Sequence, residues 1–179
     1  MKVLLTGSSK GIGYKIAKDL LAEGHELALH YNKNESSLDA LLKKDKTGSF
    51  SIQADLSQQE EIKKMVENTI GKLSFPDCII NNAGIAESAD ISLDINDWSK
   101  MFDKTIDVNL KAPSLIFKEF LRYKREKKIN SRLRIINIAS RAAFRGEQQD
   151  YISYACSKGG IISLTKTMSR SFGESDNIV

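Results

Sequence analysis

Tyr154 and Lys158 stand four residues apart in Tyr154-Ala155-Cys156-Ser157-Lys158, a spacing that puts both side chains on one face of a helix. A free tyrosine has a pKa of about 10, too high for acid–base work near neutrality, and a neighbouring ammonium lowers it by stabilising the phenolate. The pair alone decides nothing, because Tyr14…Lys18 and Tyr123…Lys127 repeat it on helices that read as outer surface with ordinary exposed pairs. Context separates the third pair. Ser140 ends the apolar run Ile135-Ile136-Asn137-Ile138-Ala139-Ser140, read as a fifth strand, and Tyr154 follows fourteen residues later on the next helix. Open α/β sheets bind ligands at the carboxyl ends of their strands. A serine there can donate a hydrogen bond to a substrate oxygen while the tyrosine exchanges a proton with it. Cys156 faces away from the pair and is not read as a nucleophile.

A second constellation lies at the start of the chain. Thr6-Gly7-Ser8-Ser9-Lys10-Gly11-Ile12-Gly13 follows an apolar run and opens a helical pattern. The missing side chains of Gly7, Gly11 and Gly13 let the backbone turn tightly and approach a pyrophosphate. The helix N-terminus behind them offers free N–H groups and the positive end of its dipole. Strand before and helix after are the context that makes this a dinucleotide site. A binder of the unphosphorylated cofactor places an acid about 20 residues further on, for the ribose 2′-hydroxyl. The corresponding stretch here is His30-Tyr31-Asn32-Lys33, without an acid. Lys33 and Lys10 suit a 2′-phosphate, which favours NADP over NAD; the alternative is that both lysines are simply solvated.

The elements that must position these residues are legible in outline. Apolar runs at Lys2–Thr6, Glu26–Tyr31, Ser49–Gln53, Asp77–Asn81 and Leu133–Ala139 alternate with helical patterns. Ile12, Ile16 and Leu20, and again Ile62, Val66 and Ile70, repeat at i, i+4 and i+8, predicting one apolar stripe per helix. Gly24 sits where the first helix would end. The alternation predicts a Rossmann-like, doubly wound α/β fold with a parallel sheet in one domain over 1–179. A long helix is expected from about Asp97 to Lys124, with Asn96 or Asp94 as its cap. Pro113 inside it lacks an N–H and crowds the carbonyl four residues back, that of Asn109, so the helix should be disturbed there.

Composition bounds the rest. Hydrophobic residues make up 41% and charged residues 28% of 179, ordinary values for a globular domain. Two cysteines are too few for a disulfide framework, and Cys78 reads as a small buried hydrophobe. No run suits a signal peptide or a membrane span, so a cytoplasmic location without a membrane partner is expected. The net charge is +4, with basic residues concentrated from Arg122 to Lys128 and at Arg132 and Arg134. That patch reads either as a nucleic-acid surface or as the solvated end of a helix. No nucleic-acid motif accompanies it, and no nucleic-acid partner is expected.

With these motifs in order, the chain resembles the short-chain dehydrogenase/reductase family, of the compact type with a TGxxxGxG loop. Asn81-Asn82-Ala83-Gly84 is similar to that family's NNAG element, and Asp55, with Leu56 beside it, matches the acidic position near the adenine. Asn109 in Asp107-Val108-Asn109-Leu110 matches its fourth catalytic residue. The resemblance implies catalytic roles for Asn109, Ser140, Tyr154 and Lys158. It implies cofactor contacts at Gly7, Ser9, Lys10, Gly11, Ile12, Gly13, Asn32, Lys33, Asp55, Leu56, Asn82, Ala83 and Gly84, with Tyr154 and Lys158 shared. Tyr154 would give a proton to the carbonyl oxygen as the nicotinamide delivers hydride to the carbon. Lys10-Gly11-Ile12-Gly13, Asn82-Ala83-Gly84-Ile85 and Asn109-Leu110-Lys111 look most like the 3-oxoacyl-(acyl carrier protein) reductases, which implies a small-molecule or acyl-carrier-bound carbonyl substrate and a homo-oligomer. The basic patch would be one place for an acidic carrier to dock.

The same resemblance sets an expectation of incompleteness. Five strands are read, and the sequence stops at Asn177-Ile178-Val179, where a sixth would begin, so the sixth and seventh are expected to be absent. The fifth strand would then be an unpaired edge, and the last helix, with Ile161, Ile162, Leu164 and Met168, would lack part of the sheet it covers. A non-catalytic dinucleotide-binding or truncated interaction protein is the alternative. An extended sugar-nucleotide epimerase or dehydratase fits less well, because its glycine spacing differs and its chains are longer.

Overall fold

The computed structural model describes residues 1–179. Five parallel strands, β1 (Lys2–Leu5), β2 (Glu26–Tyr31), β3 (Phe50–Gln53), β4 (Cys78–Asn81) and β5 (Arg134–Asn137), form one sheet in the order β3-β2-β1-β4-β5. Helices α1 (Gly11–Ala22) and α2 (Ser36–Leu42) cover one face. Helices α3 (Gln59–Leu73), α5 (Ala112–Glu126) and α7 (Ile152–Phe172) cover the other. Helix α4 (Ile95–Ile106) precedes α5, and a four-residue α6 (Ala142–Arg145) with a 3-10 turn at Gln149–Tyr151 lies between β5 and α7. Those last two elements were not anticipated.

Strand alternation splits the apolar runs between two cores. Val3, Leu5, Leu27, Leu29, Cys78 and Ile80 face α1 and α2, while Leu4, Ala28, Ile52 and Ile79 face α3, α5 and α7. A sheet buried on both sides requires such continuous apolar strands. Phe120 of α5 is fully buried and edge-on to Phe75, with ring centroids 6.0 Å apart. Truncating it to alanine should cost about 3–5 kcal/mol.

The expected stripe on α3 holds: Ile62 and Val66 are buried and Ile70 packs against the same core. On α1 it fails at one end, because Ile12 is 65% exposed. The buried face there is Gly13 and Ala17, whose small side chains let the helix approach the sheet, flanked by half-buried Tyr14, Ile16 and Leu20. Tyr14 is therefore a packing residue rather than an exposed one. The same holds for Tyr123, which stacks on Phe75. At the end of α1, Gly24 has φ +78°, with Gly24 N–H donating to Leu21 O and His25 N–H to Leu20 O. This closes the helix through a left-handed glycine.

The long helix is two helices joined by a π turn at Asp107–Lys111. Asp94 caps its start, accepting from the N–H groups of Asn96 and Asp97. Pro113 follows the π turn by two residues, where the expected disturbance lies. Single π turns of this kind re-aim side chains, often at functional sites.

Two expectations about the surface are corrected. The edge of β5 is partly paired already: Leu133 and Ile178 form a parallel bridge, and Ile135 N–H donates to Val179 O at 2.8 Å. Helix α7 is well seated, with Ile161 and Met168 buried and Leu164 packed on the core; the uncovered residue is Ile136, 45% exposed on the opposite face. In the basic patch, Lys127, Lys128, Arg132 and Arg134 are exposed, as a solvated helix end requires, while two arginines are paired. Arg122 pairs with Glu119 and Glu126, and Arg125 with Asp176. Lys124 is buried, with Nζ donating to Ser131 O at 2.6 Å and to Ile129 O, and burial lowers its pKa.

Candidate active site

The glycine loop is built against the end of β4. Gly7 and Gly11 take φ +65° and +56°, a region that favours glycine. A Cβ on Gly13 would lie 2.1 Å from Gly7 O and 2.4 Å from Asn82 Nδ2, so only glycine fits. A Cβ on Gly7 would meet Ala83 Cα at 2.7 Å. Asn82 Nδ2 donates to Thr6 O and Gly7 O, both at 3.0 Å, while the N–H groups of Asn82 and Ala83 donate to Thr6 Oγ1. Buried Thr6 is thus a loop anchor to which sequence reading gave no role. Helix α1 starts at Gly11 with no side-chain cap, so its first N–H groups, directly after Ser9 and Lys10 and including that of Ile12, receive no side-chain acceptor. An uncapped helix start behind a loop stripped of side chains fits a pyrophosphate.

The adenine side lies past β2 and β3. Asn32 and Lys33 are exposed, and Leu56 gives its side chain to the core. Asp55 Oδ1 accepts from Ser57 N–H at 2.9 Å and from Ser57 Oγ at 2.8 Å. These bonds, aided by Lys104 and Lys33, hold its pKa below the usual carboxylate value despite partial burial. Glu35, the first acid after β2, is engaged elsewhere: Tyr31 Oη donates to Oε2 at 3.0 Å and Ser51 Oγ to Oε1. Burial and this carboxylate raise the Tyr31 pKa.

The catalytic candidates converge where the π turn, the segment after β4 and the start of α7 meet. Asn109 is 1% exposed; its Oδ1 accepts from Ile85 N–H at 2.8 Å and its Nδ2 donates to Ile85 O at 2.8 Å and Ser157 Oγ at 3.0 Å. Ser157 Oγ in turn donates to Tyr154 O at 2.8 Å. Lys158 is 5% exposed, with Nζ donating to Ile138 O at 2.8 Å and standing 5.8 Å from the Tyr154 ring centroid. Burial lowers its pKa. Gly84 lies beside both, its Cβ position 3.4 Å from Asn109 Oδ1 and 3.5 Å from Lys158 Nζ.

Ser140 needs a correction. Strand β5 stops at Asn137, and Ser140 sits three residues beyond, on the turn into α6, where Oγ accepts Ala142 N–H at 3.2 Å. It lies two residues past Ile138, the anchor of Lys158. Tyr154 is half-buried in the first turn of α7, and Cys156 is exposed and unbonded, as expected. Buried Ser157 went unassigned; its place at i+3 from Tyr154, on the same helix face, was the available signal. A surface groove of about 590 Å³ between α3 and α5 is lined by none of these residues.

A parallel sheet ordered 3-2-1-4-5, with a glycine loop after β1 and a Tyr–Lys pair on α7, defines a dinucleotide-binding oxidoreductase domain. The profile of the short chain dehydrogenase family matches residues 1–178, and the chain belongs to that family of NAD(P)-dependent dehydrogenases. It is 31% identical over 170 residues to the 3-oxoacyl-[acyl-carrier-protein] reductase FabG of Staphylococcus epidermidis, a match covering 93% of this chain and 67% of the relative. To the 3-oxoacyl-[acyl-carrier-protein] reductase of Synechocystis sp. it is 29% identical, covering 93% and 66%. A solved 4-hydroxyisoleucine dehydrogenase complexed with NADH superposes with a TM-score of 0.85 at 32% identity, covering 99% of this chain and 69% of that one. The chain thus spans about two thirds of the length of these relatives. No helix is long and apolar enough to cross a membrane.

Proposed function

We propose that the domain is an NADP-dependent reductase that moves a hydride between nicotinamide and a carbonyl or alcohol carbon. The observation that carries this reading is the buried Asn109–Ser157–Tyr154 connection beside Lys158, set next to a loop shaped for a pyrophosphate. The bound nicotinamide would supply the hydride. Gly7, Ser9, Gly11, Ile12 and Gly13 would cradle the phosphates, with Asn82, Ala83 and Gly84 shaping the floor. Asp55 would meet the adenine through the oxygen that Ser57 leaves unbonded, and Asn32 and Leu56 would border it. Lys33 and Lys10, both exposed, would pair with a 2′-phosphate, because Glu35 is held away by Tyr31 and Ser51.

At the reacting centre, Ser140 would donate to the carbonyl oxygen and Tyr154 would pass it a proton. The Lys158 ammonium favours the phenolate left behind, and Asn109 fixes the helix that carries both. The substrate class best supported is a 3-oxoacyl group, carried or free, since two of the relatives above are reductases of such thioesters. Exposed Ile91, Phe144 and Ile152, on the segments that follow Gly84 and Ser140, offer apolar surface for an acyl chain. Self-association is part of the same proposal. A relative named L-fucose dehydrogenase, from Mus musculus, is 28% identical, so the family likeness alone does not select the substrate.

Titrating the chain with NADPH and NADH by nicotinamide fluorescence, then adding acetoacetyl thioesters, tests the proposal. Tighter binding of NADPH followed by its oxidation is expected. Binding without oxidation would point to the non-catalytic reading, and absence of binding in a folded sample would overturn both.

A further inference from the structure

His30, next to last in β2, is 2% exposed, yet both its ring nitrogens and its carbonyl are hydrogen-bonded. Its Nδ1 accepts the Gly7 N–H at 3.0 Å, and its carbonyl accepts both Ser8 N–H at 2.9 Å and Ser8 Oγ at 2.8 Å. On the far side of the ring Nε2 donates to Ala54 O at 3.0 Å, one residue before Asp55. Because Nδ1 accepts, the single ring proton sits on Nε2 and the imidazole is neutral. One side chain therefore ties the first turn of the glycine loop to the end of β3, joining the phosphate and adenine halves of the site.

We propose that His30 is the positioning residue of the dinucleotide loop, holding the Gly7–Ser8 turn in place only while its ring is neutral, so that cofactor affinity falls in acid. The proposal rests on the dinucleotide reading above. A second proton on Nδ1 would face the Gly7 N–H, donor against donor, and leave that buried group without an acceptor. The charged group facing the ring is Asp55, which favours the imidazolium; the segment Thr6–Ser9 presents no charge. Burial outweighs Asp55 and holds the pKa below 6.5. The neutral ring is then complete above that value and is lost as pH falls through the lower, folded value.

Calorimetric titration with oxidised cofactor, from about pH 8 down to the lowest pH at which the protein stays folded, tests this in the wild type and in His30→Asn, whose amide oxygen can stand in for Nδ1 but does not titrate. The wild type should weaken in acid by up to about tenfold per pH unit, whereas His30→Asn, which keeps an acceptor for the Gly7 N–H but loses the bond to Ala54 O, should bind less tightly at the alkaline end and fall less steeply below. Parallel acid losses in the two proteins would overturn the proposal. Ring titration of His30 by NMR in the wild type gives a second reading: bound cofactor should move its protonation to lower pH, and an unmoved titration would also overturn it. Lack of binding by folded protein at the alkaline end would instead sink the dinucleotide reading on which it rests.

Discussion

Asn109 Nδ2 and Ser157 Oγ lie 3.0 Å apart across the junction of the π turn and α7, and Ser157 passes the contact on to the Tyr154 carbonyl. This bond links the π turn to the helix turn that carries Tyr154 and Lys158. Removing it in Ser157→Ala should lower turnover by about tenfold, near 1.4 kcal/mol, and leave cofactor affinity almost unchanged. Asn109→Ala should do more, because the Ile85 N–H and carbonyl also lose their partner; a stability loss of about 1–3 kcal/mol is expected. Steady-state kinetics and denaturant unfolding separate the two effects.

Gly13 tests the loop. In Gly13→Ala the new methyl would overlap Gly7 O, so the loop must shift, and cofactor affinity should fall by about 10–100-fold. Gly24→Ala is the control. It strains a φ of +78° in open space, and should cost about 1 kcal/mol of stability with no change in affinity. Equal effects on affinity would show that the overlap at Gly13 is not what shapes the site.

Cofactor choice should follow Lys33. Its charge already acts on Asp55, across the mouth where the ribose would lie. In Lys33→Glu the affinity ratio of NADPH to NADH should drop by about tenfold or more, through loss of NADPH binding. Parallel titrations of the two nucleotides read this directly, and an unchanged ratio would remove Lys33 from the 2′-phosphate site.

How much of this was visible in the residues depended on distance along the chain. The glycine turn, the shared helix face of Tyr154 and Lys158, the Gly24 cap and the helix break before Pro113 are encoded within a few residues, and the structure forms each of these local shapes. Partners brought together by strand register are not so encoded. Thr6 meets Ala83 77 residues away, and His30 reaches back 23 residues to Gly7. Neither has a local signature. The Ile12 stripe misled because apolar spacing cannot show that a helix packs through Gly13 and Ala17. Lys124 misled because a long chain can fold its ammonium back onto carbonyls beyond the helix end.

Acid stability should depend on Asp176. Arg125 grips it with two bonds, Nε to Oδ1 at 2.7 Å and Nη2 to Oδ2 at 2.8 Å, and this holds its pKa to about 2. A depressed carboxylate stabilises the fold above its unfolded value, near 3.9, and loses that contribution as pH falls toward the folded one. Denaturant unfolding at about pH 5 and again near pH 2 should show a smaller acid loss in Asp176→Asn than in the wild type. Identical losses would mean that the pair contributes nothing to stability.

The most direct test of the account is a single-turnover reaction of NADPH-loaded protein with an acetoacetyl thioester, wild type against Tyr154→Phe. The account predicts that both proteins bind the nucleotide alike, that the wild type consumes nicotinamide absorbance, and that removing the Tyr154 hydroxyl slows this step by at least about 100-fold. Undiminished oxidation in Tyr154→Phe would contradict it, because the proton would then come from another group.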